Sequence, residues 1–124
     1  MRVLKNPWFA RFARKERISD AVLCDAVARA EMGLVDADLG GGLIKQRVAR
    51  PGSGKSGGYR TLVLYRNGER AVFAFGFAKS AMDNIDDKDE GRLKALAETT
   101  LGFSDLEITM LVEAGKLIEV KFDG

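Results

Sequence analysis

Asn67-Gly68 separates two runs, Tyr59 to Arg66 and Arg70 to Ala78, that are rich in aromatic and β-branched residues. Both turn positions tolerate positive φ, so the dipeptide predicts a type I′ turn and an antiparallel hairpin on which the rest of the fold must be built. Phe73, Phe75 and Phe77 recur at every second position, which predicts that one face packs on helices while the other stays open. Upstream, Leu43-Ile44-Lys45-Gln46-Arg47-Val48 follows Gly40-Gly41-Gly42 and reads as a further strand. The segment Arg50-Pro51-Gly52-Ser53-Gly54-Lys55-Ser56-Gly57-Gly58 reads as a mobile loop whose basic residues must face water or an anion.

Helices are expected on either side of these strands. Phe9, Phe12 and Ala13 share one side of a short basic helix that Asn6 can cap and Pro7 can begin. A second helix is expected from Ser19 or Asp20 to Met32, stopping at Gly33, with Ala21, Val22, Leu23, Ala26, Val27 and Ala30 inward. After the strands, a helix through Leu93, Leu96 and Ala97 should reach about Leu101. Another should start at Ser104, where Ser104-Asp105-Leu106-Glu107 has the capping-box spacing. Lys116 to Phe122 reads as either a short terminal strand or a loose end. The fold class is therefore α+β: two N-terminal helices packed on a small antiparallel sheet of three to four strands, with C-terminal helices.

A chain of 124 residues, 46% hydrophobic and 31% charged, suits one domain over 1–124, with 104–124 as a C-terminal extension. Its N-terminus lacks an apolar signal core, and no run approaches the roughly 18 apolar residues of a membrane span, so a cytoplasmic protein without membrane contact is expected. With no histidine and one cysteine, Cys24, the common zinc sets and every Ser-His or Cys-His arrangement are excluded. Cys24 sits on an apolar helix face and reads as core. Proton transfer would fall to Lys, Asp, Glu, Tyr or Arg.

The net charge of +2 conceals an uneven distribution. Residues 39–68 carry six cations and no acid, whereas residues 83–124 carry eleven acids against five cations. A basic middle beside an acidic tail suits a protein with one face turned to a polyanion. Lys45 and Arg47 lie two apart on one strand and so share a face, and Arg60 and Lys79 would converge on them if the strands form a meander. Like charges held together call for a bridging anion; the alternative is a solvated edge strand. Each added cation disfavours protonation of a neighbouring lysine, which suits it to act as a general base, while arginine can grip and stabilise a phosphate. Gly54-Lys55-Ser56 copies the end of a nucleotide-binding loop, but Ala49 stands where its first glycine belongs and a strand follows instead of a helix. A basic loop lying along a sugar-phosphate backbone fits better. Tyr59, Tyr65, Phe75 and Phe77 present either a base-stacking surface or core. Asp83, Asp86, Asp87 and Asp89 read as a metal cluster or, more simply, as acids at the positive end of a helix.

In combination these pieces resemble the RelE-like toxins of bacterial type II toxin–antitoxin systems, and within them the HigB-like branch. The match runs through Gly40 to Gly52, then Lys55-Ser56-Gly57-Gly58-Tyr59-Arg60-Thr61-Leu62, and Phe75-Gly76-Phe77-Ala78-Lys79-Ser80 with Asp83-Asn84-Ile85. The resemblance implies an α+β toxin that cleaves mRNA on the ribosome by activating a ribose 2′-hydroxyl, with no metal or other cofactor. It implies Lys45 as base, Arg47 and Arg60 on the phosphate and Lys79 near the leaving group, with Arg50, Lys55, Tyr59, Ser80 and Asn84 along the RNA. It also implies a cognate antitoxin, a helix-turn-helix DNA-binding protein, joined to the toxin in a hetero-oligomer. Two other functions fit the same fold: a ParE-type toxin that binds a protein such as a topoisomerase, and an RNA-binding module without activity.

Overall fold

The predicted hairpin forms the middle of a six-stranded sheet in the computed structural model, which describes residues 1–50, 57–82 and 84–121. In chain order the elements are β1 (Arg2–Lys5), α1 (Pro7–Glu16), α2 (Asp20–Glu31), β2 (Ala37–Gly40), β3 (Leu43–Val48), β4 (Tyr59–Arg66), β5 (Arg70–Ala78), α3 (Asp87–Leu101), α4 (Asp105–Glu113) and β6 (Ile118–Glu119). The sheet order is β2-β3-β4-β5-β1-β6. β1 runs parallel to β5, and the other pairs are antiparallel. The fold is α+β as expected, but its sheet is mixed and larger than three to four strands. β1 and β2 have four residues each, too few for a period of two to stand out. Val3 and Leu4 are both buried, one in each of the two cores, so no polar alternation marks the strand.

Local chemistry accounts for the helix ends. The Asn6 side chain accepts from the Phe9 N–H with Pro7 opening α1, and the Ser19 side chain accepts from the Val22 N–H to start α2. Asp86 caps α3, whose first turn holds Asp87, Asp89 and Glu90, and Ser104 with Glu107 completes the capping box of α4. Ala21 faces solvent, contrary to the expected inward position, while Leu23, Ala26, Val27 and Ala30 are buried.

α1 and α2 cover one face of the sheet, and α3 and α4 bury Ala97, Leu101 and Ile108 on the other. Residues 104–120 are part of this packing: Ile108 and Leu117 are buried, and β6 pairs with β1. Between them the Asp20 carboxylate accepts from the Lys5 ammonium and from the Lys121 N–H. Burial alone would raise this carboxyl, but the Lys121 N–H and the Lys5 ammonium outweigh it and hold it below the ordinary value.

Two details of the hairpin differ from expectation. Arg66 pairs with Arg70, leaving a connection of Asn67, Gly68 and Glu69, and among these only Gly68 has positive φ, at 75°. With the Glu69 N–H donating to the Arg66 carbonyl, this is the φ pattern of a type II turn rather than type I′. A bulge then shifts the β4–β5 register between Leu62 and Val63. Phe73 stays in the core beneath α1 and α2, while Phe75 and Phe77 pass to the other face, so the three phenylalanines do not share a side. Gly76 is left facing α1, where a Cβ would lie 2.8 Å from Phe12 Cε2 and 3.1 Å from Phe9 Cε2.

Candidate nucleic-acid interface

Arg47 lies opposite Arg60, and Lys45 opposite Leu62, across the β3–β4 ladder. Alternation places Lys45, Arg47 and Arg60 on the face of Leu43, Leu62 and Leu64. The ladder continues onto β5, with Arg60 opposite Phe77 and Leu62 opposite Phe75. Two rungs about 7 Å apart along the strands therefore read Arg47, Arg60, Phe77 and Lys45, Leu62, Phe75. α3 seats Leu101 and Ala97 over the far end of β3, against Gly42, where a Cβ would meet Leu101 Cδ1 at 2.6 Å. The cationic end is left half-exposed, over an apolar floor that includes Leu62, Phe77 and Ile85.

Burial of charged nitrogens, rather than the lack of ion pairs, sets Arg47 and Arg60 apart. Among the described residues the seven ion pairs involve neither Lys45, Arg47, Arg60 nor Lys79. Arg47 Nε and Arg60 Nη1 are buried with no hydrogen-bond partner among those residues. An unsatisfied buried donor costs about 1–3 kcal/mol, more when charged, and an anion seated between the guanidiniums would remove that cost. The backbone beneath is braced from the opposite face. Arg29 Nη2 donates to the Arg47 carbonyl at 2.6 Å, and the Arg47 N–H donates to Asp36. Gln46, 1% exposed, donates to the carbonyls of Ala26 and Leu34 and accepts from the Asp36 N–H.

Asn84 joins the cluster, its Oδ1 accepting from Lys45 Nζ at 3.4 Å and from the Ile85 N–H. Lys79 and Ser80 are exposed just beyond β5, where the Lys79 N–H donates to the Gly58 carbonyl. Arg50 is exposed, with its guanidinium 5.9 Å from the Tyr59 ring centre. Lys55, the 51–56 part of the Gly-rich loop and Asp83 lie outside the described residues, as does Phe122.

Tyr59 corrects the expectation for an RNA-facing ring. It is 1% exposed, packed edge-on against Phe12 at 5.7 Å beneath α1, with its hydroxyl donating to Glu16 Oε1 at 2.9 Å. Tyr65 likewise packs on the α1–α2 side. Burial, followed by the Glu16 contact, raises the Tyr59 phenol above its ordinary 10.0. Below pH 10 its contribution to stability is fully present, and it fades as pH rises through the elevated folded value. Tyr59→Phe should therefore flatten the loss of stability above pH 10, as read by denaturant midpoints across pH 9 to 12; an unchanged alkaline limb would assign that loss to other groups.

A cleft of about 750 Å³ lies at the opposite end of the sheet by Arg2, Arg66, Arg70 and Asp105, roughly 24 Å along β5 from the cations. There Arg2 is paired with Glu119 and Arg70 with Asp105, so the charge is already matched.

Sequence reasoning missed Trp8 and the floor residue Ile85. Trp8 had one signal: it is apolar yet lies off the stripe formed by Phe9 and Ala13.

No curated protein matches the chain in sequence comparison. The protein family described as "RelE toxin of RelE / RelB toxin-antitoxin system" does match, over residues 1–120. That span includes every element from β1 to β6 and the whole cationic face, and it agrees with the α+β architecture. The chain thus belongs to the RelE toxin family of toxin–antitoxin systems.

Proposed function

We propose that this toxin is a ribosome-dependent mRNA endonuclease of the HigB-like branch, acting in the cytoplasm as one domain over 1–124 and without a metal. The observation that carries the reading is the set of cations Lys45, Arg47 and Arg60 on one sheet face, two of them with buried guanidinium nitrogens that have no hydrogen-bond partner among the described residues. A phosphodiester seated there meets two guanidiniums able to grip it and to stabilise the charge that develops on its oxygens. Lys45, in its deprotonated form, accepts the ribose 2′-hydroxyl proton as that oxygen bonds to the adjacent phosphorus. The bond to the 5′ oxygen then breaks, with its proton supplied by Lys79, leaving a 2′,3′-cyclic phosphate and a 5′-hydroxyl. Arg50, Lys55, Ser80 and Asn84 line the strand. The antitoxin, a helix-turn-helix protein, silences the toxin in a hetero-oligomer by covering this face or displacing its residues.

Primer-extension mapping of cut sites in translating extracts tests this, with wild type, Lys45→Ala and Arg60→Ala at matched soluble levels. Cuts confined to translated RNA and lost in both variants are expected. Growth arrest by wild type without any cuts would overturn the nuclease and direct attention to a protein target.

A further inference from the structure

The geometry points to a nucleobase subsite formed by Trp8 and Phe75: a base of single-stranded RNA packs on this aromatic patch while a nearby phosphate is held by Lys45, Arg47 and Arg60. The inference rests on the nuclease reading above and adds to it the element that positions the strand.

β1 accompanies β5 only as far as Phe73, so the later part of β5 has an open edge. Asn6 closes it: its N–H donates to the Phe73 carbonyl at 3.1 Å and its Nδ2 to the Ala74 carbonyl at 3.0 Å. The first turn of α1 is thereby drawn alongside that edge. The Trp8 indole stacks on Phe75, with ring centres 4.6 Å apart and planes 28° apart, and on Phe12 at 5.4 Å and 14°. Phe75 in turn meets Phe77 at 6.3 Å. Phe75 shares its rung with Lys45, two strand spacings or about 10 Å away, so the aromatic row extends directly from the cationic cluster.

Packing on Phe12 and Phe75 accounts for part of the Trp8 ring but not for the part left open. Phe9 and Ala13 supply the buried face of α1 at 0% and 2% exposure, whereas Trp8 remains 39% exposed although its ring is held by two neighbours. Arg11, one turn on, is exposed, as are Arg14 and Lys15, and the first turn of α1 contains no acid. The helix's Glu16 is engaged by the Tyr59 hydroxyl. An aromatic surface bordered by cations on two sides fits a polyanion with flat apolar bases, and repels a basic peptide.

Trp8 is the sole tryptophan, so its fluorescence reports the subsite directly. Titrating the full chain with a single-stranded oligoribonucleotide made uncleavable by 2′-O-methyl groups should quench that emission saturably. In translating extracts Trp8→Leu, which keeps apolar bulk without a π face, should cut about five- to a hundredfold more slowly, and Trp8→Phe should recover most of the rate. Wild-type cutting by Trp8→Leu, or no quenching at concentrations where the oligonucleotide's own anisotropy shows it bound, would overturn the subsite and leave the nuclease standing. A Trp8→Leu variant that cuts normally but loses its antitoxin would make the patch a protein-docking surface instead. Absence of cuts by the wild type overturns the nuclease reading, and the subsite with it.

Discussion

Lys45→Arg should preserve the fold and the positive charge on the sheet face yet lower the rate of mRNA cleavage by about 10²–10⁴-fold, the usual contribution of a positioned acid or base. Arginine remains protonated at any pH the protein tolerates, so it cannot accept the 2′-hydroxyl proton. The side chain sits on the face with Leu43 and Leu62, half-exposed, and its only hydrogen bond among the described residues is to Asn84 at 3.4 Å. That contact is long and solvent-facing, so its loss does not threaten the fold. Arg60→Ala should cost about 10²–10³-fold by removing one stabiliser of the transferring phosphate, and Arg60→Lys should restore part of this because a point charge replaces a two-pronged grip. Single-turnover cut rates by primer extension distinguish the roles. If Lys45→Arg cleaves as fast as wild type, Lys45 contributes charge alone and the proton acceptor lies elsewhere.

Much of this arrangement is legible in the chain because the deciding signals are local. β3, β4 and β5 each begin and end where the residue pattern predicts, and Asn6, Ser19 and Ser104 cap the helices expected of them. Placing Lys45 beside Arg47 needs only the two-residue period of a strand, and bringing Arg60 opposite Arg47 needs only the next strand in the meander. The losses come where tertiary contacts override the pattern. β1 is held by β5 and β6 from distant parts of the chain, so four residues with neighbours buried on both faces carry no signal of their own. The bulge opposite Leu62 and Val63, whose extra residue is Ala74, reverses the side of Phe75 and Phe77 with only Gly76 nearby to mark it, and it is what puts Phe75 next to the cations. Tyr59 looks like a ring beside a basic loop, but parity places it under α1, opposite the face of Arg60.

Arg70→Ala should produce the largest loss of stability of any single change in a charged residue, about 3–5 kcal/mol, while leaving the basic face intact. α3 has no basic residue in its last turn, so beyond the Gly102 N–H at its cap no side chain of the helix answers the carbonyls and the negative dipole end there. The hairpin supplies the missing donors. Arg70 Nη1 donates to the carbonyls of Thr100 and Phe103, both at 2.9 Å, Nη2 reaches Asp105 at 3.1 Å, and Arg66 Nη1 takes the Leu101 carbonyl at 2.8 Å. The Arg70 side chain is 8% exposed, so truncation leaves the Phe103 carbonyl without its donor, and the Thr100 carbonyl with only the backbone N–H groups of Gly102 and Phe103, in a space water cannot readily fill. The bond to Asp105 adds little, since that carboxylate is 81% exposed and screened, and Arg70 Nε, which has no partner among the described residues, subtracts from the total. Against the 5–15 kcal/mol typical of a whole domain, the expected loss lowers the thermal midpoint by roughly 10–20 °C. Arg70→Lys should recover less than half, because one ammonium cannot span two carbonyls and a carboxylate. Urea unfolding provides the measurement, with a change below about 1 kcal/mol showing that other contacts hold the α3–α4 corner. Cleavage assayed well below the midpoint should stay at the wild-type rate, because Arg70 begins β5 and the cations lie at its far end.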